Sequence, residues 1–295
     1  MSLKAERKEI NIKGESFSYL FFPSNSNKNP IFFLHATGLN AATYINFLSK
    51  LFKKFNGERT IYALDQRGHG LSRADANHKN LKSWKTYEKD AINFINEIGV
   101  ESCDIAGHSM GAIVSARISS KLKKIRKLIM IEPVLFYDFS EGFSLSVKRF
   151  FKIGDSSEIS SSAAKRRKSF NDLESAIEHF TGRAIFKNWP DEALKNYLEG
   201  GLKETKEGVS LSCDPFWEAK TFQTVSYNTY KFLKKIHISA FILKGSMETS
   251  TFSEKAKEYV SKKYSFKIEE MSGSHFLPIE NTDAVALKIA DFLEK

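Results

Sequence analysis

A serine flanked by glycines is the sharpest chemical signal in the sequence. Residues 104–112 read Asp-Ile-Ala-Gly-His-Ser-Met-Gly-Ala, so Ser109 lies at the centre of a G-x-S-x-G pattern. The apolar, strand-like run Cys103–Ala106 precedes it, and an apolar, helix-like run follows it. The tight turn between them needs small residues at Gly107 and Gly111, and the following helix directs its N-terminal dipole at developing negative charge. This context predicts that Ser109 is a nucleophile.

A serine hydroxyl becomes a good nucleophile only when a base takes its proton. Of the seven histidines, His275 is the best placed, because it follows the last predicted strand and precedes the last predicted helix. Its loop returns to the sheet edge at which Ser109 is expected. His35 and His69 also sit on loops at this edge, whereas His108 should point away from the site on so tight a turn. We therefore predict that His275 is the general base.

The third member of such a site is a carboxylate that orients the histidine and favours its imidazolium form. Two glutamates are candidates: Glu248, after the predicted strand Ile236–Leu243, and Glu132, after the predicted strand Leu128–Ile131. Both keep the chain order serine, acid, histidine. The sequence leaves the choice between them open.

An acyl-transfer site also needs two backbone N–H groups that stabilise the oxyanion. One is expected from Met110, the residue that follows the nucleophile. The other is expected from the turn after the predicted strand Ile31–His35. Thr37 is the first choice in that turn, and Ala36 is the next.

Short apolar runs alternate with amphipathic stretches, which predicts a mostly parallel sheet with helices on both faces. An antiparallel ribbon, Lys8–Ile12 and Ser16–Phe22, is expected to begin the sheet. The other predicted strands include Thr60–Leu64 and Phe266–Glu270 besides those already named. The predicted helices are Ala41–Phe55, Trp84–Ile98, Met110–Lys121, Ser253–Lys262 and Asp283–Leu293.

The alternation stops between about residues 134 and 235, where the patterns are helical and charged and no strand is convincing. We expect a helical cap here, inserted into one α/β core domain made of residues 1–133 and 236–295. Within the insert the Ser-rich stretch Ser156–Ser162 is expected to be a loop. Several aromatic residues of the insert are candidates for an apolar substrate pocket: Phe136, Tyr137, Phe139, Phe143, Trp189, Phe216 and Trp217.

Composition excludes several classes of protein. The chain has 295 residues, a formal net charge of +10 and only two cysteines, Cys103 and Cys213. The cysteines form neither a C-x-x-C pair nor a disulfide framework, and we expect Cys103 to be a buried thiol. The basic runs Lys121–Lys127 and Lys165–Lys168 lack an aromatic stacking platform, which argues against nucleic acid. With no apolar leader and no span-length apolar run, we expect a cytoplasmic protein without membrane insertion.

Four segments together resemble the α/β-hydrolase superfamily: His35–Gly38, Asp65–Gly70, Gly107–Gly111 and Gly273–Phe276. The resemblance covers most of the chain except the insert. It implies an eight-stranded, mostly parallel sheet and a serine–histidine–acid triad, with no cofactor and no metal. Within the second segment, Asp65 and Arg67 are expected to hold loops together rather than to contact substrate.

The sequence departs from the family pattern in two places. The common His-Gly after the third strand is His35-Ala36 here, and the usual Asp after the seventh strand is replaced by Glu248. Some members of the superfamily place the acid after the sixth strand, where Glu132 lies. Dehalogenases and epoxide hydrolases carry Asp at the position of Ser109, so those two chemistries are disfavoured.

These residues predict a serine hydrolase that cleaves a small or medium carboxylic ester through an acyl-enzyme. A serine triad on this fold also serves thioesterases, lactonases, prolyl aminopeptidases, carbon–carbon bond hydrolases and perhydrolases, and the sequence does not separate these. The rival classes are a small-molecule-binding protein built on an inactive hydrolase and a nucleic-acid binder. The expected partner is a small ester-type molecule, and the oligomeric state is left open.

Overall fold

The computed structural model describes residues 5–136, 155–225 and 228–295, with the side chains of residues 155–158 left out. This part of the chain contains eleven strands. They are β1 (Glu6–Ile12), β2 (Glu15–Phe22), β3 (Ile31–Leu34), β4 (Ile61–Leu64), β5 (Cys103–His108), β6 (Ile125–Ile131), β7 (Ser169–Phe170), β8 (Leu202–Thr205), β9 (Gly208–Leu211), β10 (Ser239–Gly245) and β11 (Lys267–Met271).

Eight of these strands form the main sheet, in the spatial order β1-β2-β4-β3-β5-β6-β10-β11. β2 pairs antiparallel with β1 and with β4, and all the other pairs are parallel. The α/β class and the mostly parallel eight-stranded sheet are therefore confirmed. Because β3, β5, β6 and β10 run parallel side by side, the loops that follow them meet at one edge.

Helices connect the strands. They are α1 (Ile45–Lys54), α2 (Lys85–Ile98), α3 (Met110–Ser119), α4 (Asp155–Ala164), α5 (Leu173–Phe180), α6 (Asp191–Glu199), α7 (Pro215–Gln223), α8 (Tyr230–Leu233), α9 (Glu254–Lys263), α10 (Leu277–Glu280) and α11 (Thr282–Glu294). Short 3-10 turns at Ala41–Tyr44, His78–Asn80 and Ala184–Phe186 complete the described helical segments.

The main sheet separates two apolar cores. Neighbouring strand residues point to opposite faces, so Phe33 packs with α1 and α11, whereas Phe32 packs with α2, α3 and α9. The helices bury an apolar face against the sheet. In α1, for example, Leu48, Leu51 and Phe52 are nearly inaccessible to solvent. α3 is buried on almost every side, which agrees with its apolar sequence and fixes the helix that follows Ser109.

Residues 134–235 contain two features that differ from the sequence expectations. Ser156–Ser162, expected to be a loop, lies within α4. Serine is a weak helix former, but α4 is held from outside, because the Ser160 hydroxyl donates to the Ala219 carbonyl of α7 and accepts from Gln223. The second difference is a small sheet, β7-β9-β8, where no strand was expected. Its strands have only two to four residues, and β8 is mostly exposed, so they carry almost no apolar alternation.

Polar contacts hold this insert against the rest of the protein. The Asn40 amide donates to the Tyr197 carbonyl of α6 at 2.9 Å. The Trp84 indole donates to the carbonyl of Thr221 in α7, also at 2.9 Å. From the other side, the Trp217 indole of α7 donates to the Arg67 carbonyl at 3.1 Å. The insert is therefore fixed to the loops at the edge where β3 and β4 end.

Both cysteines are buried free thiols, which confirms the expectation for Cys103. Within residues 5–136, 155–225 and 228–295, no helix combines the length and apolar character that a membrane span requires.

Candidate active site

Ser109 lies on a strained turn between β5 and α3. Its backbone has φ 55° and ψ −114°, a conformation that non-glycine residues rarely adopt. The turn is held because the Ser109 N–H donates to the Ile131 carbonyl at 2.9 Å. A Cβ atom at Gly111 would overlap the Leu34 carbonyl, and one at Gly107 would overlap the backbone of Gly111. The two glycines thus permit the close approach of strand and helix that the sequence pattern predicts.

Glu132 and His275 are in contact. The Glu132 Oε2 atom lies 3.1 Å from His275 Nδ1, and the Thr251 hydroxyl lies 3.3 Å from the same nitrogen. Glu132 directly follows β6 and has a positive φ of 48°, which turns its side chain towards the end of β10. The carboxylate therefore orients the imidazole so that Nε2 is the free ring nitrogen.

The Glu132 carboxyl is fully buried but rich in hydrogen-bond donors. Burial raises its pKa, but the hydrogen bonds from His275, from the Gly245 N–H and from the Thr251 N–H outweigh burial, so the net pKa is lowered. The Ser250 hydroxyl also donates to Glu132, at 2.9 Å. Glu132 is consequently an anion beside the imidazole, as the stabilisation of an imidazolium requires.

Glu248, the other candidate acid, is exposed on the loop after β10. Within the described part of the chain it makes no hydrogen bond and no ion pair. Of the two glutamates, the structure brings only Glu132 to His275.

A hydrogen-bonded chain runs behind the site. The Ala36 N–H donates to the Tyr44 hydroxyl at 3.2 Å, and this hydroxyl lies 2.7 Å from His108 Nδ1. On the other side of the ring, His108 Nε2 lies 2.7 Å from the His275 carbonyl. The pattern is satisfied when His108 is neutral, with its proton on Nε2. His108 points away from the cavity, as expected, and it ties the base loop to the turn after β3.

Two further histidines, His35 and His69, are buried beneath the same turn. In each ring one nitrogen donates to a carbonyl and the other accepts a backbone N–H, from Gln66 for His35 and from Gly38 for His69. Burial lowers the pKa of His35 to about 4 and the pKa of His69 to about 3. Both rings are therefore neutral, and they shape the turn rather than exchange protons with substrate.

The backbone N–H groups of Thr37 and Met110 make no hydrogen bond to any group in the described residues. The two residues touch, because the Thr37 hydroxyl lies 3.4 Å from the Met110 sulfur. The Ala36 N–H, in contrast, is occupied by Tyr44. The structure thus has two free donors, one on each of the turns named from the sequence, and Thr37 lines the same cavity as Ser109.

Ser109, Thr37 and His275 line one cavity of about 1010 Å³, between the core and the insert. This volume is at the upper end for small-molecule sites. The Ser109 hydroxyl makes no hydrogen bond within the described residues, so the bond between nucleophile and base is not formed in this structure. Such bonds often tighten only when substrate binds.

Comparison with known proteins shows the family of the chain. A model of the alpha/beta hydrolase family matches residues 31–287, most of the chain. The chain belongs to the alpha/beta hydrolase family. A curated relative from Mycoplasma pneumoniae, named "Putative esterase/lipase 2", is 24% identical over 216 residues, which cover 68% of this chain and 75% of that protein.

Solved structures of this hydrolase fold superimpose over nearly the whole chain. E-2-(acetamidomethylene)succinate hydrolase matches with a TM-score of 0.79 and 18% identity, covering 99% of this chain and 100% of that chain. The thioesterase domain from the curacin biosynthetic pathway matches with a TM-score of 0.78 and 20% identity, covering 98% and 99% of the two chains. At these identities the likeness shows the fold.

The aromatic lining of the hydrolase cavity differs from the expected set. Phe136 lines it, but Trp189 and Trp217 are core residues, and Phe216 lies against His78 outside it. The Trp189 and Trp217 side chains pack between the insert and the core, against Phe276 and Tyr87 respectively. Tyr137, Phe139 and Phe143 lie outside the described residues. The aromatic lining that the sequence did not reveal consists of Trp84, Phe180, Phe186, Phe222 and Phe276.

Asp65 and Arg67 hold loops together, as expected. Asp65 accepts the N–H groups of Ala41 and Leu71 and pairs with Arg7 at 2.7 Å. Arg67 pairs with Glu15 and Asp90. Neither residue lines the cavity.

Sequence reasoning missed Tyr44 and Thr251, which hold the site from behind. Their only sequence signal is position, since each is a polar side chain shortly after a strand end of the main sheet. Nor does any group of three or more His, Cys, Asp and Glu side chains in the described ranges form a candidate metal site.

The close approach at Gly111 predicts a large effect of one methyl group. In Gly111→Ala the new Cβ meets the Leu34 carbonyl, so we expect the free energy of unfolding to fall by about 3 kcal/mol. The control is Gly99→Ala, where φ is left-handed, at 79°, but the space that a Cβ would enter is open. It should lose only about 1 kcal/mol. Urea unfolding measures both, and equal losses would contradict the packing argument.

The buried neutral histidines predict acid sensitivity. An unfolded histidine takes up a proton below about pH 6.5, but His35, His69 and His108 stay neutral in the folded protein because burial lowers each pKa. Their stabilisation is complete above pH 6.5 and is lost as the pH falls towards the folded values. Each contributes a slope of at most about 1.4 kcal/mol per pH unit.

Urea unfolding at pH 7.5, 6.5 and 5.5 measures this slope. Lower pH is avoided because burial raises the pKa of carboxyls such as Asp65, which act in the opposite direction. His69→Gln should reduce the slope by roughly a third, one of three protons. His237→Gln, at an exposed position, should not change it. A wild-type stability that is constant from pH 7.5 to 5.5 would refute the assignment.

Proposed function

We propose that this alpha/beta hydrolase cleaves a small or medium carboxylic ester through a covalent acyl-enzyme on Ser109. The observation that carries the proposal is the 3.1 Å contact between Glu132 and His275, because His275 lines the same cavity as the strained Ser109. A strained serine backbone persists only when its surroundings hold it, and such strain is concentrated at functional sites. In this proposal Glu132, not Glu248, is the orienting acid.

The mechanism follows from the order of the groups. Ser109 Oγ attacks the ester carbonyl carbon while His275 Nε2 accepts the serine proton. The imidazolium is stabilised by Glu132, and it then gives its proton to the leaving alcohol as the ester bond breaks. A water molecule attacks the acyl-enzyme with His275 again as base, and Ser109 recovers its proton as the acid product leaves.

The oxyanion of each tetrahedral intermediate would accept hydrogen bonds from the N–H groups of Met110 and Thr37. Both are unpaired beside Ser109, whereas the Ala36 N–H is engaged by Tyr44. This occupancy supports Thr37 over Ala36. A single oxyanion donor contributes about 3 kcal/mol to transition-state stabilisation in other serine hydrolases.

Residues 134–235 would act as the cap of the hydrolase, and residues 1–133 and 236–295 as its core domain. The cavity supports this division, since Phe180 and Phe222 line it from the insert while Trp84 and Phe276 line it from the core. An apolar enclosure excludes water and favours an acyl or alcohol group of moderate size.

The first prediction for this function concerns the nucleophile. A fluorophosphonate probe should form one adduct per chain, on Ser109, because the probe reacts only with an activated serine. Intact mass and peptide mapping would detect the adduct. Ser109→Ala should form none, and Ser115→Ala, which removes another buried serine of the same region, should be labelled like wild type.

No adduct on folded wild-type protein would refute an activated Ser109. A small-molecule-binding protein on an inactive hydrolase fold would then be the better reading. Labelling followed by turnover of 4-nitrophenyl esters of increasing chain length would define the acyl size.

The second prediction separates the two glutamates. Glu132→Gln presents an amide to His275 Nδ1 and favours the wrong tautomer, so kcat should fall by about 10³-fold or more. Glu248→Gln removes an exposed carboxylate that does not contact the histidine, and kcat should stay within about twofold. Ester kinetics with circular dichroism as a folding check measures both. Comparable losses in the two variants would contradict Glu132 as the single orienting acid.

A further inference from the structure

The cavity of the proposed site has an unusual charge distribution. Four cationic side chains of the insert line it: Lys165, Arg166, Arg167 and Arg183. Glu218 is the one carboxylate among its described lining residues. The first three belong to the basic run that the sequence showed, and ester hydrolysis by Ser109 gives that run no role.

One of the four cations is already neutralised. Arg166 pairs with Glu218 at 3.0 Å, and the side chains are only 20% and 3% exposed. Burial lowers the Arg166 pKa, but Glu218 and Tyr197 more than restore it, so the pKa is raised and the pair is charged. Glu218 therefore balances Arg166, and no described carboxylate is left in the cavity for the other three cations.

Arg167 and Arg183 are two of the three cavity-lining cations that no carboxylate of the described lining balances. The Arg167 guanidinium is fixed by a hydrogen bond from Nε to the Ser169 carbonyl, at 3.1 Å, and by stacking over the Phe170 ring. Its other N–H groups make no ion pair within the described ranges. Arg183 follows α5. Its side chain makes neither a hydrogen bond nor an ion pair to any described residue.

A neighbouring histidine reports the same positive field. His179, which also lines the cavity, has a pKa lowered first by burial and then by the charges of Arg183 and Arg167. Arg167 and Arg183 therefore both act on the part of the cavity that His179 lines.

We propose that the substrate carries an anionic group, a carboxylate or a phosphate, and that Arg167 and Arg183 bind it while the ester carbonyl lies at Ser109. Guanidinium groups match both anions through paired N–H donors. This inference rests on the proposed hydrolase function and narrows its substrate class. A positive cavity also raises the local concentration of anionic substrates and their association rate.

The anion can belong to the acyl part or to the leaving group, and two matched substrate pairs distinguish these sources. Mono-4-nitrophenyl glutarate against 4-nitrophenyl pentanoate adds a carboxylate to the acyl chain. Butanoyl-coenzyme A against S-butanoyl-N-acetylcysteamine adds phosphates to the leaving group. The measured quantity is the ratio of kcat/KM for the anionic member to kcat/KM for the neutral member of each pair.

The test variant is Arg167→Gln combined with Arg183→Gln, and the control is Arg73→Gln combined with Lys263→Gln, which removes the same charge outside the cavity. We expect the test variant to lower the ratio about tenfold for one pair, with the neutral substrate unchanged. Added salt should lower the wild-type ratio for that pair. The affected pair identifies the source of the anion.

If the double Arg variant changes the kcat/KM ratio less than about twofold for both pairs, as the control variant should, the anion site is overturned. The proposal that the protein is a hydrolase is unaffected by that result. If wild type forms no Ser109 adduct and cleaves none of the four substrates, the hydrolase proposal fails instead. The anion site is then tested by binding, from the thermal stability of Ser109→Ala with glutarate and with pyrophosphate. Stabilisation that disappears in the double Arg variant supports the site, and no stabilisation by either anion overturns it.

Discussion

The contact between the start of α3 and the end of β3 is the constraint on which the rest of the site depends. Gly111 approaches the Leu34 carbonyl so closely that no side chain fits between them. This approach places Ser109 above the sheet edge and forces its backbone to a positive φ. It also leaves the first N–H groups of α3 without helical partners, where negative charge is stabilised by the helix dipole. The strained Ser109 backbone, its place at the sheet edge and the unpaired Met110 N–H are thus three consequences of one packing distance.

A set of buried neutral imidazoles aligns the loops around Ser109. His108 joins the turn after β3, through Tyr44 and Ala36, to the carbonyl of His275. A protonated ring would have two donors and would lose its acceptor role, so the alignment exists only while burial keeps the ring neutral. His35 and His69 are also acceptors only while neutral, and they hold the N–H groups of Gln66 and Gly38. The positions of His275 and of the turn after β3 relative to Ser109 therefore depend on buried histidines that do not line the cavity.

The core of this arrangement was readable from the sequence because it rests on local rules. The strand–helix alternation predicts the parallel sheet, and G-x-S-x-G predicts the elbow without any long-range information. The choice between Glu132 and Glu248 was not readable, because both follow strands of the sheet and only the three-dimensional turn at Glu132 decides which reaches His275. The helical state of Ser156–Ser162 was missed because it depends on contacts with α7 that are distant in sequence. Trp189 and Trp217 are only candidates for the pocket at the level of sequence, because an aromatic residue of a core and one of a cavity have the same sequence signature.

The insert contacts the turn after β3 at Gly38, the residue that follows Thr37. Glu218, which balances Arg166, lies directly against Gly38, the residue after Thr37, so closely that a Cβ at Gly38 would overlap its carboxylate. Gly38 also has a φ of +76°, and its N–H is held by His69. The same residue is therefore constrained by the core on one side and by the insert on the other. Because α7 carries Glu218 and is also anchored to Trp84 and Arg67, the buried ion pair cannot shift without disturbing the turn at Thr37 and Gly38. Residues of the insert and the turn after β3 thus meet at Gly38.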